Sequence, residues 1–403
     1  MIYSLSNGLR VAIESTPGSK VSYIGVAVNA GSRDEPDHSQ GLAHFVEHTI
    51  FKGTSSRKSW HISNRMESIG GELNAYTSKE ETLIYTNAPA GQPQRAIELL
   101  GDIIANSRFP ERELEKEREV VIDEINSYLD SPADSIFDEF EELAYAGSDL
   151  AHNILGSPDS VRSLTSADCR AFLDHKYTPH NMAIYVADPW DPDKIIRLLE
   201  KYFGCLHFPT SASARIAPPP SPGFDKIIDR KGHQAHTIVG RRIFGRNDPR
   251  RFPLFLLNNY LGGPCMNSRL NQELREKRGL VYTVDSNVAL LSDAGLMQIY
   301  FGCDIDDVAK CLKVVDRELT ALAESTLSQR SFDAIVSQYC GQLLVSSDNR
   351  ENMAMAMAKS IIYYDEIRGI EQTTERLRSV TREDLRNVAE FIVSSPRCRL
   401  TIH

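Results

Sequence analysis

No part of the chain reaches the roughly 18 consecutive apolar residues that a membrane-spanning helix needs. The opening run, Met1-Ile-Tyr-Ser-Leu-Ser-Asn-Gly-Leu-Arg-Val11, lacks a basic segment leading into an apolar one. Neither a membrane span nor a secretory leader is expected. Cysteine is sparse: seven residues, an odd number, with no C-x-x-C pair. That argues against a disulfide framework and fits reduced thiols in a cytoplasmic protein. Dense Lys/Arg runs are missing too, and 45 basic against 55 acidic residues leave a formal charge of −10, so nucleic acid and anionic membrane surfaces are not expected partners. No glycine-rich phosphate loop or dinucleotide fingerprint follows any strand-like segment.

What is present describes a globular chain. Its 403 residues exceed what one hydrophobic core usually covers, and 41% hydrophobic with 25% charged residues is ordinary for a folded domain. Prolines and small residues from Ser211 to Gly223 can neither continue a helix nor fill a central strand. The expected organisation is therefore a domain at 1–210, a linker at 211–226 and a second domain at 227–403. Both halves show a similar order of elements, the kind of pattern an internal duplication leaves. In the first, strands are expected over 9–13, 21–28, 71–76 and 82–87, and helices over 40–51, 60–69, 94–105 and 111–129. In the second, strands near 227–239 precede a helix near 252–261 and strands over 281–289 and 295–302. The expected fold class is α+β, each half an antiparallel sheet covered by helices.

Chemistry concentrates in Gly41-Leu-Ala-His-Phe-Val-Glu-His-Thr-Ile-Phe-Lys-Gly53. Residues four apart share a helix face, so His44 and His48 can address one ion. A catalytic zinc takes three protein ligands and keeps a fourth position open, and His₂Glu is an established set. Glu47 projects beside that face, the general-base position of an inverted H-x-x-E-H motif. Downstream, Glu117 and Glu124 are seven apart in Glu111–Asn126, two helical turns on one face. Glu113, Glu115 and Glu119 read as a solvated face. Glu124 differs, because it sits among Val120, Val121, Ile122 and Ile125.

These residues resemble the pitrilysin-type inverzincins, the family of mitochondrial processing peptidase and insulin-degrading enzyme. In that family a glutamate ligand follows the motif by some 76 residues, the separation between His48 and Glu124 here. The likeness extends through Gly71-Glu-Leu-Asn-Ala-Tyr-Thr77, Tyr177-Thr-Pro-His-Asn-Met182, Leu261-Gly-Gly and Ser268 to Tyr282, and so covers essentially the whole chain. It implies one Zn²⁺ per chain on His44, His48 and Glu124, with Glu47 as base and Glu117 as an accessory carboxylate. It also implies an edge strand, with Asn74, Ala75, Tyr76 and Thr77, to which an extended peptide adds main chain to main chain. Arg275 and Tyr282 match the family's pair that steadies the tetrahedral intermediate. The helix near Phe252–Leu261 carries Asn258 and Asn259 but no histidine, so no second zinc is expected.

Large relatives place four such domains in one chain, so the resemblance further implies a dimer closing as a four-domain clamshell. A homodimer is the simplest form, with a related partner subunit as the alternative. The activity implied is a zinc-dependent endopeptidase acting on peptides or unfolded segments. The rival reading is a catalytically silent member that binds peptides or assembles with a partner. Such members typically lack the base or a ligand, and His44, Glu47, His48 and Glu124 are all present. His61, His152, His175 and His233 fall outside the ligand spacing, and Cys265, after Gly262-Gly263-Pro264, has no base suggested beside it.

Overall fold

A computed structural model describes residues 2–206 and 214–403, so the first residues of the expected linker, 211–213, lie outside the described residues. In chain order the first elements are β1 (Ile2–Ser4), β2 (Arg10–Ser15), β3 (Val21–Val28), α1 (Leu42–Thr49), α2 (Ser59–Glu67), β4 (Glu72–Thr77) and β5 (Thr82–Pro89). Then come α3 (Pro93–Asn106), α4 (Glu111–Leu129), α5 (Pro132–Ala144), α6 (Pro158–Ser163), α7 (Ser166–Lys176), β6 (Met182–Asp188) and α8 (Pro192–Leu199). The second series runs β7 (Phe224–Ile228), β8 (Ala235–Ile243), α9 (Arg251–Gly262), β9 (Val281–Leu290) and β10 (Gly295–Cys303). It ends with α10 (Val308–Glu324), α11 (Gln329–Ser346), α12 (Arg350–Tyr364), α13 (Ile370–Ser379), α14 (Arg382–Ser394) and β11 (Cys398–Ile402).

Each half builds one sheet, in the orders β1-β2-β6-β3-β5-β4 and β7-β11-β8-β10-β9. Neither sheet is purely antiparallel, contrary to expectation. β2 pairs in parallel with β6, and β7 in parallel with β11. In both cases the last strand of the half inserts beside an early one after a helical excursion, and such a crossover returns the chain in the same direction.

The compact units are also not the contiguous halves expected. One holds residues up to Asn126, His152–Ile216 and Ser346–Arg368, and the other holds Ser127–Ala151, Ala217–Val345 and Gly369–His403. Burial patterns give the reason. On the first sheet Val11, Ile13, Val26, Val28, Ile184 and Val186 face one core, while Ala12, Ala27, Ala183, Tyr185 and Ala187 face another. Residues alternate between the faces of a sheet, so both faces of this one are apolar and both need cover. The first half's own helices lie on the Val/Ile face. Ala354, Ala358 and Ile361 of α12, spaced as one helical stripe, cover the alanine face. The second sheet shows the reciprocal arrangement, with Ile136, Phe140 and Ala144 of α5 packing on Ile238, Leu296, Leu400 and Ile402.

Candidate active site

The sequence places two imidazoles on α1 because Leu42, Ala43, Phe45, Val46 and Thr49 bury the rest of that helix. Its mouth is held by a buried carboxylate: Glu35 accepts hydrogen bonds from the backbone N–H of Gly41 at 2.9 Å and of Ala43 at 2.7 Å. Gly41 itself has φ of 88°, and a Cβ there would lie 2.6 Å from the Leu155 carbonyl, so only glycine lets α1 start at this point. Burial raises the Glu35 carboxyl, with His152 pulling the other way from a hydrogen-bonding distance of 3.0 Å.

His44 and His48 stand with ring centroids 4.6 Å apart. Opposite them α4 delivers Glu124, whose Oε2 is 3.7 Å from His44 Nε2 and 3.5 Å from His48 Nε2. Those separations exceed a good N–H···O hydrogen bond. They agree with two ligand atoms sharing a zinc at about 2.0–2.2 Å each, which in tetrahedral geometry stand about 3.3–3.6 Å apart. One ligand atom from each of the three residues lies within 4.8 Å of the others, the only such group of three or more among the described residues. The donor set therefore fits a zinc ion.

The two imidazoles are not equivalent. Burial, and then the charge of His48, drives His44 down to about 3, so it is a neutral lone-pair donor, and its Nδ1 is buried with no hydrogen-bond partner among the described residues. For His48, burial works downward but is outweighed by a hydrogen bond to Glu117 and the charges of Glu47 and Glu124, which raise it. Its Nδ1 lies 3.4 Å from Glu117 Oε2. The other oxygen of Glu117 is 2.6 Å from Lys52 Nζ. Burial would raise Glu117, yet His48 and Lys52 together hold it below the usual carboxylate range. Glu47 goes the other way: burial lifts its carboxyl, with neighbouring Thr77 and His48 opposing.

Farther along α4 the charge run is solvated, as expected. Glu113 pairs with Lys116 at 2.9 Å and Glu115 with Arg118 at 3.1 Å. Among the described residues β4 is an edge strand, paired with β5 in register Asn74 to Tyr85 and Thr77 to Thr82. Alternation divides the four residues singled out on it. Ala75 packs on the core shared with α1, whereas Tyr76 belongs to the alanine-faced side under α12, with Lys359 Nζ 5.1 Å from its ring centroid. Thr77 lowers the Glu47 carboxyl against the effect of burial.

Arg275 and Tyr282 belong to the other unit. Both are exposed, and Tyr282 Oη donates a hydrogen bond to Asp304 Oδ1 at 2.6 Å. In that unit Asn258 of α9 is tied to Ser286 of β9 by two hydrogen bonds, of 2.9 and 2.6 Å, so the helix there anchors a strand. Gln342 Nε2 lies 3.0 Å from Cys265 Sγ and supplies no base. Lys52 received no role from the sequence. Its signal was its place four residues after His48, one turn along the same face.

Comparison with known proteins finds relatives along almost the whole chain. Residues 10–158 match the family described as Insulinase (Peptidase family M16), and residues 163–339 match Peptidase M16 inactive domain. An uncharacterized zinc protease of Streptomyces coelicolor is 33% identical over 399 residues, spanning 97% of this chain and 86% of that protein. The mitochondrial-processing peptidase subunit beta of Lentinula edodes is 28% identical over 409 residues, spanning 96% of this chain and 86% of its own. The crystal structure of a protease from Helicobacter pylori superposes with a TM-score of 0.93 at 21% identity, covering 100% of this chain and 98% of that one. With its inverted motif inside the first matched segment and 97% of its length matched by a relative 33% identical, the chain belongs to peptidase family M16.

Proposed function

We propose that this chain is a zinc-dependent endopeptidase, cleaving peptides or unfolded polypeptide segments inside an enclosed chamber. The observation that carries the reading is the convergence of His44, His48 and Glu124 on one point, with Glu47 on the intervening turn of α1. A zinc ion held there would supply Lewis-acid polarisation of water and of the scissile carbonyl. The chain's own groups account for the rest. Glu47, whose carboxyl burial raises, takes a proton from the attacking water and passes it to the leaving amine nitrogen. Glu117 accepts from His48 Nδ1 and so turns Nε2 toward the ligand point. The free edge of β4, around Asn74 to Thr77, offers main-chain groups to an extended substrate.

Arg275 and Tyr282 would donate hydrogen bonds to the developing oxyanion. In this reading they come from a second copy of the chain, the two copies forming a cytoplasmic homodimer with one Zn²⁺ per chain. A heterodimer with a related subunit and a silent peptide-binding role are the alternatives. The presence of Glu47 and all three ligands favours the enzyme.

A peptide library incubated with the zinc-loaded chain and with Glu47→Gln, followed by mass spectrometry, tests the reading. Internal cleavages made by the wild type and missing from the variant are expected. Identical product sets from both would refute it.

A further inference from the structure

We propose that Lys52 is a positioning residue for the candidate metal centre, acting through Glu117 on His48. The inference rests on the zinc reading above and assigns a role to a side chain outside the ligand set. His48 presents its two ring nitrogens to two different carboxylates. Nε2 looks toward Glu124 at 3.5 Å, and Nδ1 toward Glu117 Oε2 at 3.4 Å. An imidazole binds a metal through one nitrogen only if that nitrogen's lone pair is free, and an acceptor for the proton on the other nitrogen, Nδ1, fixes that tautomer and the ring plane. Glu117 is that acceptor only while its carboxylate keeps one orientation. Lys52 Nζ, 2.6 Å from Glu117 Oε1, holds the second oxygen and so sets the direction of the first.

The local chain explains how a lysine reaches this point. The Lys52 backbone N–H bonds the Thr49 carbonyl at 3.0 Å, which prolongs the end of α1 by a turn, and Gly53 follows with φ of 154°, turning the chain away. The ammonium thus stands at the C-terminal end of the ligand helix, where a cation is favoured, and bridges to α4. α1 and α4 are therefore linked twice through one carboxylate, once by a ligand and once by Lys52. His44 has no such brace among the described residues, where its Nδ1 is buried without a hydrogen-bond partner. The burden of holding a directed imidazole falls on the Lys52–Glu117–His48 relay.

The test is zinc affinity of the purified full-length chain, measured by competition with a chromogenic chelator, for wild type, K52M, K52R, E117Q and K52M/E117Q. Outer partners of ligating histidines typically account for about 10–100-fold in metal affinity. E117Q is expected in that range, K52M at several-fold up to about 10-fold, and K52R, which keeps charge and donor, close to wild type. The double variant is expected to bind like E117Q alone, because Lys52 acts only through Glu117. Circular dichroism of the metal-free proteins checks folding, and K52Q replaces K52M if the latter does not fold. Wild-type affinity in the lysine variant, or losses in the double variant that multiply, would overturn the inference. H48A and E124Q serve as controls: if they too bind zinc like wild type, it is the metal reading that fails and not the part given to Lys52.

Discussion

Gly240 of β8 lies directly under the ring of Phe140 of α5: a Cβ at that glycine would sit 2.7 Å from the ring and 2.5 Å from the Met297 carbonyl. The first sheet contains the same device, where a Cβ on Gly25 would fall 2.6 Å from the ring of Tyr185. Each sheet thus accepts a bulky ring only because a glycine opposite leaves room. Phe140 is fully buried, and Phe140→Ala is expected to destabilise its unit by about 3–5 kcal/mol, the usual range for emptying a buried aromatic site. Urea unfolding followed by tryptophan-independent circular dichroism would measure it, and a loss below about 1 kcal/mol would mean that α5 does not seal the sheet.

A fragment ending at residue 216 should not fold as an independent domain. It retains the alanine face of Ala12, Ala27 and Ala183 but loses α12, which covers it. An exposed apolar sheet face drives aggregation. Soluble, cooperatively unfolding fragment would contradict this, and adding the 346–368 segment as a separate peptide is expected to improve solubility.

In the proposed reading His48→Ala and Glu124→Gln lower zinc content itself, since each would remove one of three protein ligands. Glu47→Gln should keep its zinc and lose peptidase turnover by about 10²–10⁴-fold, the usual contribution of a positioned base. Elemental analysis beside a peptide assay separates the two outcomes. Full occupancy in both ligand variants would mean that the ion binds elsewhere.

If Arg275 and Tyr282 act on the partner's metal centre, two inactive variants should repair each other. Glu47→Gln mixed with Tyr282→Phe yields a hybrid in which one centre combines an intact Glu47 with an intact Tyr282 from the opposite copy. Differentially tagged subunits establish that the hybrid forms. A verified hybrid without recovered activity would rule out action in trans, and a fully active monomer would remove its basis.

Acid stability offers a test far from the metal. Lys277 and Arg278, each at 2.6 Å, hydrogen-bond Glu273 and hold its carboxyl down to about 2, from an ordinary 4.5. A carboxyl depressed by folding contributes stability that is present above its unfolded value and is lost as pH falls through the interval toward the folded one. Thermal unfolding of metal-free protein should therefore steepen its decline between about pH 4.5 and pH 2, and Glu273→Gln should flatten that part of the curve. Parallel curves for the two proteins would refute the assignment.

Residues close in sequence decided much of this protein by themselves. The expected helix over 111–129 matches α4, and the expected 94–105 and 60–69 fall within a residue or two of α3 and α2. Periodicity is a local property, so it survives without knowledge of the fold. The same holds for His44 and His48, whose shared face follows from helical geometry alone. The arrival of Glu124 opposite them was legible only through a family resemblance, because a 76-residue separation carries no local signal. What only the tertiary structure decided is of another kind. The parallel insertion of β6 and β11, the crossing of α5 and α12 into the opposite units, and the use of both oxygens of Glu117 are pairings between distant segments. Alanines on a strand and on a helix announce a close contact but not its partner. A lysine after a helix announces a cation but not the carboxylate it will meet. Those choices are settled by which apolar faces remain uncovered when the chain has collapsed, a competition among all segments at once.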